Sequence, residues 1–163
     1  MSELDHDPLL QMILALRADL DELRDQESAT PKSGTWTPTF LGTSTAGVFT
    51  YNVQSGAYSL IGKIVYFTGR ARITAIGTPP VGNMQMGGLP FTCESGFFHP
   101  VTFGIVGQFN YSASSIGLTG FVNVSDTTIT LRETFDNIAD VNVPAANFTN
   151  VACDILVSGV YRI

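Results

Sequence analysis

Charge is scarce over most of this chain, and that scarcity narrows what it can bind. Of 163 residues, 8 are Lys or Arg and 14 are Asp or Glu, and they are unevenly spread. Residues 1–33 hold Arg17, Arg24 and Lys32 against Glu3, Asp5, Asp7, Asp19, Asp21, Glu22, Asp25 and Glu27, a net charge of −5. Residues 34–163 hold five bases against six acids, a net charge of −1. There is no basic field for a phosphate backbone, which excludes nucleic acid as a partner. A soluble domain normally presents a well-charged surface. One this poor in charge is expected to hide part of its exterior in an assembly, or to offer it to a neutral ligand such as sugar.

Cysteine and histidine are equally sparse, with two of each. Cys93 and Cys153 are too few for a disulfide framework. In "VACDILVSGVYRI" alternation places Val151, Cys153, Ile155, Val157 and Tyr161 on one face, and Cys93 shares a phase with Leu89 and Phe91, so both cysteines read as small buried hydrophobes. No Cys/His cluster or phosphate-cradling glycine loop is present, and neither metal nor cofactor is expected. His6, in "DHDP", reads as part of a solvated terminus. His99, in "GFFHP", reads as a turn residue; Glu94 stands five positions earlier, but no Ser or Cys nucleophile signature adjoins the pair. Carboxylates for glycoside hydrolysis would have to come from Glu94, Asp126, Glu133, Asp136, Asp140 or Asp154. Of these, Glu133, Asp136 and Asp140 in "RETFDNIAD" read as a solvated loop. The chain is therefore expected not to be an enzyme. Its N-terminus lacks the features of a signal peptide, and no apolar run is long enough to insert into a membrane.

What is present begins with a helix. Asp7 can cap and Pro8 is tolerated at the first helical position, so the helix is expected over about Pro8 to Gln26. Leu9, Ile13, Leu16, Leu20 and Leu23 are spaced as a coiled-coil seam, with Ile13 and Leu20 at a and the other leucines at d. Asp19 then falls at g and Arg24 at the following e, a pair able to bridge neighbouring helices in a parallel coil. Ile and Leu at a with Leu at d favours two helices, whereas Leu10 and Met12 widen the stripe and suit a third. Fewer than three heptads make a marginal coil alone, so the helix is expected to zip up alongside an association made elsewhere. "ESATPKSG" has linker composition, placing a boundary near residue 33.

From Thr35 the pattern turns to period two and to short apolar runs punctuated by glycine. Strands are expected at 36–41, 47–54, 56–61, 63–76, 84–91, 97–109, 115–124, 127–134 and 151–162. The longest puts Val65, Phe67, Ala71, Ile73 and Ala75 on one face and Tyr66, Thr68, Arg70, Arg72 and Thr74 on the other. Gly56 and Gly62 are expected to turn the chain on either side of "AYSLI". Trp36 ahead of Pro38 anchors a first strand that the proline confines to an edge. The fold class is mainly β: an antiparallel sandwich or jelly-roll-like domain over 34–163, preceded by the short coiled-coil helix within 1–33.

"GTWTPTFLG" at 34–42, "YNVQSGAYSLIGKIVYFTGRARIT" at 51–74, "GLPFT" at 88–92, "NFTN" at 147–150 and the terminal "SGVYRI" resemble a β domain recurrent in tailed-bacteriophage structural proteins, including tail fibres and head fibres. The resemblance covers most of 34–163 and is weakest over 93–146. It implies a homotrimer located in the virion, held to capsid or tail proteins through its N-terminus, with the β domain projecting to contact the host surface, a glycan included. A capsid-decoration or head-fibre protein without a receptor role is the alternative that it leaves open. Host-contact residues are expected in the aromatic loops, at Phe97, Phe98, His99 and Tyr111, with Tyr66, Arg70 and Arg72 as further candidates.

Overall fold

The computed structural model describes residues 7–148 and 152–163; His6, Asn150 and Val151, named above, lie outside them. Helix α1 spans Pro8–Ala29. Its start follows the expected chemistry: Asp7 Oδ1 accepts the Leu9 N–H at 2.9 Å, satisfying one of the donors left free at a helix N-terminus. Its end comes three residues later than expected, because nothing in Gln26–Ala29 breaks a helix until Pro31 removes an amide donor. The expected linker shrinks accordingly, since strand β1 (Lys32–Trp36) already takes in Lys32, Ser33 and Gly34.

The remaining strands are β2 (Thr39–Gly42), β3 (Phe49–Ile61), β4 (Ile64–Ile76), β5 (Met84–Gly87), β6 (His99–Gly107), β7 (Ser115–Val122), β8 (Ile129–Phe135), β9 (Val141–Asn142) and β10 (Asp154–Arg162). They follow the order β1-β3-β4-β10-β6-β7-β8-β5-β2, with β9 beside β8, and every pairing is antiparallel. Strand β6 is shared between two layers: its residues 101–107 pair with β10, while His99 and Pro100 pair with β7. The two ends of the order, β1 and β2, are joined by Thr37 and Pro38 alone. A sheet whose outermost strands are two residues apart has to curl on itself, and the result is a jelly-roll-like sandwich. Pro38 thus splits the expected strand 36–41 into two pieces, both of them edges, where its missing N–H breaks no ladder.

The expected strands 47–54 and 56–61 are one element. Gly56 lies in the middle of β3, paired with Gly69, and turns nothing. Its small size serves packing: the Trp36 indole lies across Gly56 and Gly69, and a Cβ on either would come within 2.3 Å of it. Gly62 does turn the chain. With φ at +57° it is the first of two residues between β3 and β4, a position where glycine costs least. Between the layers lies an apolar core. Val65, Phe67, Ala71 and Ile73 of β4 and Ile155, Val157 and Tyr161 of β10 are all 5% exposed or less, as their alternation requires. Ala75, expected on that face, is exposed near the end of β4. Aromatic edges fill the middle: Trp36 meets Phe67 at 5.9 Å, Phe67 meets Tyr161 at 5.7 Å, and Phe40 meets Phe148 at 4.9 Å.

Candidate functional site

The helical seam is bare. Leu9, Ile13, Leu16, Leu20 and Leu23 are 41–69% exposed, and among the described side chains of α1 only Leu10 is partly buried. Met12 and Leu14 add to the apolar surface. Arg24 leans on Asp21, 3.8 Å away, in a fully solvated pair of little energetic weight. A helix with this much exposed leucine has its burial still to make.

The four expected host-contact residues do not form one patch. Phe97, Phe98 and His99 lie at the start of β6, where Phe98 packs on Phe121 at 4.6 Å. Tyr111 lies beyond the other end of β6, packed on Phe109 at 4.9 Å. The length of β6 separates the two groups, roughly 30 Å of chain. His99 is the first residue of β6, paired with Val122, and not a turn residue.

Four of the acidic side chains of the β domain, Glu94, Asp126, Glu133 and Asp154, are engaged locally. Glu94 meets Arg162 at 3.5 Å, and among the described residues His99 Nε2 is buried with no hydrogen-bond partner. Asp126 closes its own turn, accepting from the Thr127 N–H at 2.6 Å and from the Thr128 hydroxyl at 2.7 Å. Glu133 corrects the expectation of a solvated loop: it lies in β8, in phase with Ile129 and Leu131, and is fully buried. Its Oε1 accepts from the Ser112 N–H at 2.8 Å and from Asn147 Nδ2 at 3.1 Å, which offsets part of the cost of burying it. Asp136 is exposed and Asp140 partly so. Arg70 grips Asp154 with two parallel bonds, Nε to Oδ1 at 2.9 Å and Nη2 to Oδ2 at 2.6 Å. That bond holds the Asp154 carboxyl below its usual range, against an opposing push from burial.

Both cysteines are buried free thiols. Burial, with Asp154 adjacent, pushes Cys153 up to about 12, so it has no thiolate character at neutral pH. Among the described residues, no three His, Cys, Asp or Glu side chains are grouped to hold a metal ion, and no helix is long and apolar enough to cross a membrane.

Register produces one feature that no local stretch of sequence contains. On the outer face of the first layer, Thr35 (β1) sits beside Ala57 (β3), Ala57 beside Thr68 (β4), Thr68 beside Ser158 (β10) and Ser158 beside Thr102 (β6). Five small side chains in line make the floor of an open groove of about 790 Å³ running across the strands. Tyr66, half exposed, and Val160 stand along one side, and Leu156 and the Arg70–Asp154 pair along the other. Tyr66 was legible as a surface-facing residue from the alternation of β4. The row was not, because it needs the pairing of five strands.

No protein-family model matches the chain, and no curated protein matches it. Among solved structures it is similar to the crystal structure of the Dettilon tailspike protein (gp208), with a TM-score of 0.67 and 18% sequence identity. The similarity covers 81% of this chain and 24% of that one, so the chain spans about a quarter of the tailspike's length. At this identity the likeness is one of fold: a jelly-roll-like β domain of the kind found within a phage tailspike.

Proposed function

We propose that the chain is a phage virion structural protein that forms a short homotrimeric fibre. Its N-terminal residues and α1 anchor it to capsid or tail proteins, and the β domain projects to contact the host surface. The observation that carries this reading is the bare leucine seam of α1 directly ahead of a domain folded like part of a tailspike. Three helices packed along one axis bury that seam on copies of itself. In this reading the domain binds and does not catalyse, in keeping with acidic side chains committed to Arg70, to Arg162, to a turn and to the core.

The test is immunogold electron microscopy of intact virions with antibody against the purified chain. Label on projecting appendages is the expected result, and particles without label overturn the assignment. Deletion of the gene then separates the two roles left open. A receptor fibre loses adsorption to host cells, whereas a decoration protein leaves infectivity unchanged and lowers particle robustness.

A further inference from the structure

The groove across the outer face of β1, β3, β4, β10 and β6 has a chemistry that selects its occupant. Five strands at about 4.8 Å spacing give it a length of roughly 19 Å, long enough for an extended chain. Its volume of about 790 Å³ lies within the usual range of ligand sites, roughly 300–1,000 Å³. No charged side chain stands on its floor; the charges at its side, Arg70 and Asp154, are spent on each other. Among the described residues, the hydroxyls of Ser33, Thr35, Ser59, Thr102 and Ser158 make no hydrogen bond within the protein, so their donors and acceptors are left for a ligand or water. Beside them the Tyr66 ring is 49% exposed.

We propose that this groove binds a linear, uncharged oligosaccharide. Side-chain hydroxyls that both donate and accept match the hydroxyls of a sugar, and the tyrosine ring offers a flat apolar surface to a pyranose face. Competing occupants fit less well. A polyanionic glycan needs free cations, and the nearest one, Arg70, is bound bidentately to Asp154. An extended peptide is recognised through main-chain bonds at a sheet edge, whereas the groove floor is a face whose backbone is already paired on β3, β4 and β10. A second copy of the chain would meet a groove lined by Ser33, Ser59, Ser158 and Ala57, residue types that protein interfaces avoid. The inference deepens the host-contact reading by naming a ligand class, and it moves the contact from the loops around Phe98 and Tyr111 to the sheet.

Saturation-transfer NMR on the full chain tests it, with linear neutral oligomers of glucose, mannose and N-acetylglucosamine, an acidic galacturonate oligomer, and an extended Ser/Thr-rich peptide as probes. At least one neutral oligomer is expected to bind, and the acidic oligomer and the peptide are not. Tyr66→Ala should weaken binding about tenfold, the loss of one aromatic contact. Ser158→Trp, which fills the groove from an exposed position, should abolish it, and Phe98→Ala should leave it unchanged. Failure of every neutral oligomer, equal binding of the peptide or the acidic oligomer, or full binding by Ser158→Trp overturns the assignment. So does a changed solution mass in Tyr66→Ala, which would make the face a contact between copies. Virion labelling reads the appendage role independently, so either conclusion can fail while the other stands.

Discussion

Trp36 shows how much the fold rests on single atoms. Its indole is 6% exposed, donates from Nε1 to the Thr68 carbonyl at 2.9 Å, and lies against Gly56 and Gly69 with no room for a methyl group. Gly69→Ala, which forces a Cβ to within 2.3 Å of the ring, is expected to destabilise the domain by about 1–3 kcal/mol through overpacking. Trp36→Ala should cost about 3–5 kcal/mol through the cavity left behind. Denaturant unfolding of both variants checks the pair, and a Gly69→Ala protein as stable as the parent would contradict the packing. Asp154 gives a pH-dependent case. Its folded pKa is depressed, chiefly by the Arg70 bond, so its stabilisation is present above the ordinary carboxylate range and is lost as pH falls through the folded value. Asp154→Asn should therefore melt a few degrees below the parent at neutral pH, and the gap should close on acidification. A gap that persists unchanged into acid would contradict the assignment. Not all of this was legible from residue type: the polar run around Glu133 suggested solvent, and only the inward phase it shares with Ile129 and Leu131, together with donors from Ser112 and Asn147, makes its burial intelligible.

Among the elements, those with strong local chemistry were read closely. Asp7–Pro8 marks the start of α1, and the alternation of β4 and β10 identifies their buried faces. Two boundaries failed for opposite reasons. Glycine suggests a turn at Gly56, where a distant tryptophan is what demands it, and "ESAT" has linker composition although its first residues continue the helix to Ala29. The extra residue at Gly104, where the β10–β6 register shifts, likewise leaves no local mark in the run 97–109. Helix α1 carries its own prediction. A single helix of 22 residues with an unburied seam is marginal in water, so its helicity should depend on the partner helices. Leu16→Asp combined with Leu20→Asp should lower the helical circular-dichroism signal while the β domain's melting temperature stays within a degree or so of the parent, as surface changes usually do. Helicity unaffected by both substitutions would show that α1 needs no seam.

For the whole molecule, composition carried the class but not the arrangement. The low charge of residues 34–163 pointed to a covered or ligand-facing exterior. Which face that is emerges only when the sheet curls through Thr37–Pro38 and aligns small residues from five strands. The aromatic loops, grouped in the sequence reading, end up at opposite ends of β6 because the length of that strand lies between them. Helix and β domain have separate tasks in this account: the seam strengthens an association of copies that it does not make alone, and the sheet meets the outside. The most direct test is the solution mass of the full chain by light scattering, beside the Leu16→Asp/Leu20→Asp variant. A mass three times that of the 17.5 kDa chain, lowered or loosened by the variant, is the predicted result. A full-length monomer would contradict the central claim and assign the leucine seam to the groove of a different protein.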